Sequence, residues 1–382
     1  MPNNSRTLRL CALLAMVAGA LPTAPVSAQD NVPWRLSYFP YLTASPNDGV
    51  MGIARAIWFQ QAGWGERVTL AQYVAVEAGY STRDAWKASV TYGAPRLTDD
   101  WRLMAHAEIG HEPNFGDLDS PFGARMIRDR QVAWVDVTRR LHGPLHVAVR
   151  PAIRKTSLEL RVGDVSGDVD ETDLSVRGAL VLDTRDREFE ENSGGLVEVG
   201  AITGTGGGGK GNGYAAPYLH ARGWVHPYLP LRLTGRVAWR GTTGSGAIAP
   251  AYEFPGWEED FTILGGHESQ RGLPIGARGV DGVVLAGAEA RFDVINIGEI
   301  GAVTLIAFAD GSKLLFGGDD LSFDVSRVAT SLQGIAPPSV RDWTWAAGGG
   351  IALRVLRAAT LTITAARANH DTRWYVGSGW SW

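Results

Sequence analysis

Cysteine is nearly missing: Cys11 is the one thiol in 382 residues. A chain so poor in thiols forms no disulfide framework and holds no thiolate metal site. Past residue 28 no apolar run reaches the ~18 residues that a membrane-spanning helix requires, so any passage through a bilayer must be made by strands. Positive charge is not in excess either. Lys and Arg total 36 against 40 Asp and Glu, a formal charge of −4, which speaks against a nucleic-acid partner. Catalytic motifs are also lacking. His267-Glu268 and His111-Glu112 have no second histidine of a metalloprotease helix, and no G-x-S-x-G elbow occurs. Gly204 to Lys210 fits G-x-x-x-x-G-K, but Gly211 follows where Ser or Thr would bind magnesium. Asp164, Asp168 and Asp170 read as a solvated acidic loop in preference to a calcium site. The expectation is therefore no enzyme, no cofactor and no metal.

What is abundant points elsewhere. Fourteen Trp, ten Tyr and 48 Gly suit a membrane interface and close strand approach. Residues 1–28 combine Arg6 and Arg9, an apolar run from Leu10 to Leu21, and small residues at Val26 and Ala28. That is the form of a secretory signal peptide, and Cys11 belongs to it. Its two arginines removed, the mature chain carries a formal charge of −6. Residues 29–382 are then one domain.

Two-residue alternation runs through that domain. Leu231, Leu233, Gly235, Val237 and Trp239 interleave with Arg232, Thr234, Arg236, Ala238 and Arg240. Leu145, Val147, Val149 and Ile153 oppose His146, Arg150 and Arg154, and Leu103, Ala105, Ala107 and Ile109 oppose Arg102, His106, Glu108 and Glu112. A greasy face opposite ranks of arginine and histidine fits a barrel in lipid with a wet, charged lumen. About sixteen segments of ~10 residues each fit that pattern. They start near Trp34, Val50, Arg67, Ala85, Trp101, Gln131, Leu145, Asp173, Gly195, Tyr214, Leu231, Gly282, Glu299, Trp343, Thr360 and Thr372. Connections after even-numbered segments are short. Long ones follow odd-numbered segments: Pro113 to Arg130, Val162 to Thr172, Gly204 to Gly213, Thr242 to Asp281 and Gly311 to Asp342. Short turns on one side and long loops on the other are the signature of an outer-membrane barrel. The fold class is thus all-β, a 16-stranded antiparallel transmembrane barrel in the bacterial outer membrane.

Gly265 to Leu273 breaks the alternation. A large barrel could fold the connection carrying Arg271 and Gly272 into its own interior, where a guanidinium needs a carboxylate of matched geometry. Glu289 and Asp293 share one face of the next segment with Arg291 between them, and Asp310 closes the segment after that. At the C-terminus Trp374, Val376, Trp380 and Trp382 share one parity, against Arg373, Tyr375, Gly377 and Gly379 on the other.

In this order the pieces resemble the barrel of the BamA and TamA superfamily, the bacterial surface antigens. Leu264-Gly265-Gly266-His267-Glu268-Ser269-Gln270-Arg271-Gly272-Leu273 looks like that family's sixth-loop motif, with Leu273 where the family has an aromatic. Ala288-Glu289-Ala290-Arg291-Phe292 resembles its strand 12, and Ala307-Phe308-Ala309-Asp310-Gly311 the end of its strand 13. Leu182-Asp183-Thr184-Arg185-Asp186 is similar to its mid-barrel Asp-Thr-Arg-Asp signature, and Gly377 to Trp382 to its closing strand. The resemblance implies an inward-folded sixth loop whose Arg271 pairs with Glu289 and, after it, Asp310, while the terminal tryptophan set serves as the barrel signal. It also implies a weak seam between first and last strands. Through that seam such a barrel would assist insertion or translocation of a polypeptide, or of lipid. Expected partners are outer-membrane lipids including lipopolysaccharide, a polypeptide client and a periplasmic partner. The few residues between Gln29 and the first strand leave no room for the family's periplasmic domains. Two other functions fit the same barrel: a diffusion channel for anionic solutes, and a structural or adhesive surface barrel.

Overall fold

The computed structural model describes residues 32–63, 66–116, 125–162, 165–188, 191–206, 213–244, 248–258, 260–276, 279–298, 300–316, 343–355, 359–368 and 371–378. The expected signal peptide, Trp380 and Trp382 lie outside the described residues. The wall is a closed antiparallel barrel of sixteen strands. β1 has two segments, Arg35–Tyr38 and Tyr41–Ser45, that hold one register against the next strand. There follow β2 (Gly49–Gln61), β3 (Leu70–Ser81), β4 (Trp86–Ala94), β5 (Trp101–Phe115), β6 (Arg125–His142), β7 (Leu145–Val162) and β8 (Val165–Asp183). The second half is β9 (Gly194–Gly204), β10 (Tyr214–Tyr228), β11 (Leu231–Gly241), β12 (Gly282–Asn296), β13 (Gly301–Phe316), β14 (Thr344–Val355), β15 (Ala359–Ala368) and β16 (Asp371–Ser378). Each pairs with its chain neighbours, and β1 meets β16.

Side-chain parity explains the closure, because alternate residues of a strand face opposite sides of the sheet. On β8, Leu174, Val176, Leu180 and Leu182 are half exposed toward lipid while Asp173, Ser175, Arg177, Val181 and Asp183 are buried inside. On β11, Leu233, Val237 and Trp239 face out and Arg232, Arg236 and Arg240 face in. Exposed Trp58, Trp101, Trp239, Trp345 and Trp374 supply interface aromatics on the outer surface.

Strand length is where sequence and structure part. β6, β7 and β8 have 18, 18 and 19 residues, well beyond the ~10 expected. β6 starts at Arg125 instead of Gln131 and β8 at Val165 instead of Asp173, so Val162 to Thr172 is not a long loop but the top of a tall hairpin. A strand that rises above the hydrocarbon needs no greasy face, and its alternation fades although its ladder continues. Asp168 and Asp170 are exposed residues on that strand, and Asp164 lies outside the described residues.

The centre of the barrel is filled by the connection between β11 and β12. It contains a one-turn helix α1 (Ile248–Tyr252) and a small hairpin pairing Glu253–Phe254 with Phe261–Thr262. Phe254, Trp257, Phe261, Ile263 and Leu264 of this segment form one apolar cluster with Leu196, Tyr218, Trp224, Val283 and Leu285 of the wall. Burying such side chains contributes about 1.5–3 kcal/mol each, which makes the filled lumen the hydrophobic core of the molecule.

Candidate functional site

Arg271 is fully buried. Its Nε and Nη2 donate to the two Asp310 oxygens at 2.7 and 3.1 Å, its backbone N–H donates to Asp310 Oδ2 at 3.2 Å, and Nη1 donates to Glu289 Oε2 at 2.6 Å. The guanidinium also lies over the Phe308 ring, 3.3 Å from its centroid. Asp310 takes a two-pronged contact and Glu289 the shortest bond, so both acids that the sequence offered are partners of Arg271. Glu289 is shared: its other oxygen accepts from Arg291 Nε at 2.6 Å.

Asp293 is not a partner of Arg271. It accepts from Arg232 Nη2 at 2.9 Å and Thr304 Oγ1 at 2.7 Å. Four residues beyond Glu289 at ~3.4 Å each, it sits ~13 Å further along β12, beyond the reach of the loop tip.

The backbone around Arg271 is held as tightly as its side chain. Gly265, Gly266 and Gly272 have φ of +80°, +92° and +94°, a region open to glycine at little cost. A Cβ on Gly265 would lie 1.7 Å from the Pro274 carbonyl oxygen. One on Gly272 would lie 3.0 Å from the Ala368 Cβ and 3.1 Å from that of Ala346, so the loop tip rests on β14 and β15. The Tyr375 hydroxyl of β16 accepts from Gly272 N–H at 2.9 Å and donates to the Leu273 carbonyl at 3.0 Å. Arg373 Nε donates to the Gly272 carbonyl at 3.2 Å. The aromatic missing after Arg-Gly is thus met by one from the last strand. Trp374 and Val376 take the opposite parity, Trp374 being 64% exposed.

A second anchor escaped the sequence reading. The hairpin tip brings Trp257, Glu258 and Asp260 against the arginine ranks of β7, β8 and β10. Asp260 accepts from Arg150 Nη1 at 2.9 Å and Arg154 Nη2 at 2.7 Å. Trp257 donates through its backbone N–H to Glu198 Oε2 at 2.8 Å and through Nε1 to Thr138 Oγ1 at 3.0 Å. Glu258 accepts from Arg185 Nη2 at 2.8 Å and Arg222 Nη2 at 3.2 Å. Arg185 is also clamped by Asp183, at 3.0 and 3.2 Å, and by Glu191 at 3.1 Å. Asp186 caps the turn after β8 by accepting from the N–H groups of Arg187, Asn192 and Ser193. The Asp183-Arg185 pair is therefore a socket for the sixth loop. The signal for it was present: three acids in Glu258-Glu259-Asp260 inside a connection opposite a wall rich in arginine. Two of the three lumen histidines meet loop aromatics in place of a charge network. His220 lies between Phe254 and Phe261 at 5.6 and 5.5 Å, and His146 lies 5.6 Å from Trp257. His106 bonds Thr91 at 2.9 Å.

The electrostatics of this anchor set a pH limit. Burial alone would raise the carboxyls of Asp260 and Glu258, but the arginines around them outweigh it and hold both at about 2. Carboxyls lowered on docking stabilise the docked hairpin fully above their undocked value of ~4 and lose that contribution as pH falls through the docked value. The fluorescence difference between wild type and Trp257→Phe should stay constant from neutral pH to about 4 and change only below it. A transition near pH ~6 would contradict this assignment.

The seam completes the site. Among the described residues β1 and β16 share one paired position, Ala44 opposite Val376, whereas β15 and β16 pair continuously from Leu361↔Ser378 to Ala368↔Asp371. Phe39 donates its N–H to Arg55 on β2 at 2.9 Å. Successive N–H groups of a strand point to opposite edges, so the position that should donate toward the seam next is Pro40, which has no N–H.

A family model for the Omp85 superfamily domain matches residues 70–363. Among solved structures, BamA from Haemophilus ducreyi lacking POTRA domains 1-3 superposes with a TM-score of 0.56 at 12% identity, over 91% of this chain and 70% of that one. CdiB from Escherichia coli gives 0.56 at 13% identity, over 91% and 68%. Likeness at that identity speaks for the fold. A comparison with curated proteins finds no match. With the family match spanning most of the wall and the loop, this chain belongs to the Omp85 superfamily of bacterial outer-membrane barrels.

Proposed function

We propose that this barrel assists insertion or translocation of polypeptide, or of lipid, at the outer membrane, and that the seam between β1 and β16 is the route. The observation that carries the reading is the combination of a filled lumen and a seam that, among the described residues, has one paired position. Arg271, Trp257, Glu258 and Asp260 occupy the interior, where a solute would otherwise pass. The seam offers an edge instead. A strand edge with free N–H and C=O groups templates an incoming strand; among the described residues β1 meets β16 at Ala44 opposite Val376, and Pro40 has no N–H to add to that ladder. In this reading the partners are outer-membrane lipids with lipopolysaccharide, a polypeptide client, and a periplasmic protein that delivers it.

The diffusion-channel reading predicts a different electrical behaviour. Purified protein in planar bilayers should give small, flickering currents, because the loop stays docked through two anchors. Large, steady, anion-selective conductance would assign it instead to the channels.

A further inference from the structure

Beside the seam, near the outer ends of β1, β4 and β5, a cavity of about 310 Å³ remains between the wall and the sixth loop. Tyr41, Thr43 and Ser45 of β1 and Tyr375 and Gly377 of β16 line it, so it opens on the inner side of the strand pair that closes the barrel. Its charged lining is four carboxylates, Asp48, Glu108, Glu112 and Glu268, against the cations Lys87 and Arg130. Two of the acids are spoken for. Glu108 is held by Arg130 and Glu112 by Arg128. Among the described residues the Asp48 carboxylate accepts only from the Ser45 hydroxyl, to which the Asp48 backbone N–H donates in turn, and the Glu268 carboxylate, exposed to the cavity, receives no hydrogen bond or ion pair. A third group is unmet. Both ring nitrogens of His267 are shielded from solvent and have no hydrogen-bond partner among the described residues. That ring leans on β16, 3.2 Å from where a Cβ on Gly377 would stand.

We propose that this cavity binds the ammonium or guanidinium of an inward-facing Lys or Arg on a polypeptide strand that pairs with the seam. The proposal rests on the seam reading above and adds the chemistry of what is recognised. Carboxylates accept and cannot donate, and a neutral imidazole offers one lone pair, so the unmet groups call for a cationic N–H donor. Burial, with help from Arg271, lowers His267 to about 4, which keeps its ring neutral at physiological pH. A chelated metal is the weaker occupant: among the described residues no three His, Cys, Asp or Glu side chains converge closely enough to hold one. An ammonium on a flexible stem needs no such convergence. The strand geometry fits as well. A client strand paired to β1 presents every second side chain inward, at the height of Thr43 and Ser45.

The test uses the full-length protein in detergent with a benzophenone photo-cross-linker at Thr43. The probes are synthetic amphipathic strands of about ten residues that differ at one inward position, Lys, Gln or Glu. The Lys probe should cross-link about fivefold more than the Gln probe, and the Glu probe less than either. Glu268→Gln should erase most of that preference and Glu268→Lys should turn it toward the Glu probe. Both variants are expected to fold, because the side chain they replace makes no contact that holds the loop. If all three probes cross-link equally to wild type, the cation site is overturned while strand pairing at the seam stands. If no probe cross-links at all, the seam reading fails and takes the site with it.

Discussion

Replacing Arg271 with alanine is expected to cost about 3–5 kcal/mol and to release the tip of the sixth loop. The magnitude follows from what is left behind. Glu289 keeps Arg291, at 2.6 Å, but Asp310 is fully buried and loses both side-chain donors together with the backbone N–H that the tip brings. An unpaired carboxylate in that position must take a proton or draw water into the core, and either course loosens Gly272 from Ala346 and Ala368. Arg271→Lys keeps the charge and loses the fork, so it should lie between the two. The temperature at which the barrel unfolds in detergent, read by the gel-mobility shift on heating, should fall in the order wild type, Lys, Ala. The double variant Arg271→Ala with Asp310→Ala should recover part of the loss, since it removes the orphaned acid. An Arg271→Ala barrel as heat-resistant as wild type, with a loop no more open to protease, would show that the clamp is not what holds the loop.

Deleting the hairpin Glu253–Thr262 and joining its ends with glycine and serine should turn the barrel into a channel. The hairpin supplies Asp260, Glu258 and the Trp257 carbonyl to Arg150, Arg154, Arg177, Arg185 and Arg222, and Phe254 and Phe261 to the core. Without it those arginines face a void, and a void lined by charge fills with water. A sixteen-stranded cylinder with an unfilled interior holds an aqueous passage, so single-channel conductance should rise by about an order of magnitude and favour anions. A deletion variant that folds yet conducts no better than wild type would mean that the plug lies elsewhere in the loop.

The wall was legible because lipid imposes one rule on every strand. In Leu231 to Arg240 and Leu145 to Arg154 the parity read from the chain is the parity of the structure, arginines inward and aliphatic residues outward. Where that rule lapses, so did the reading. Above the hydrocarbon, Arg125 to Arg130 and Ser166 to Thr172 pair as strand although no face is apolar, and they look like loop. The position of Arg271 was visible from its acids, because a guanidinium without water needs carboxylates and few lay near in sequence. That Asp310 takes two prongs of the fork was not visible, since it depends on which oxygen pair faces it. The union of Asp260 with Arg150 and Arg154 spans more than a hundred residues, and no local pattern states it. Tyr375 was placed on the inward face, but its grip on Gly272 requires the barrel to be closed.

The proposed route runs along the strand edge at β1 and β16, past an interior that stays plugged. The most direct measurement is an in vivo seam lock with Ala44→Cys and Val376→Cys, which stand opposite each other across the seam at a spacing suited to a disulfide. Cys11, the one native cysteine, falls in the expected signal peptide, so it does not compete. Under oxidising conditions the amounts of other outer-membrane proteins should fall, and a reductant should restore them in the same cells. Unchanged outer-membrane protein levels with the disulfide fully formed would contradict the route and leave a barrel that acts without opening.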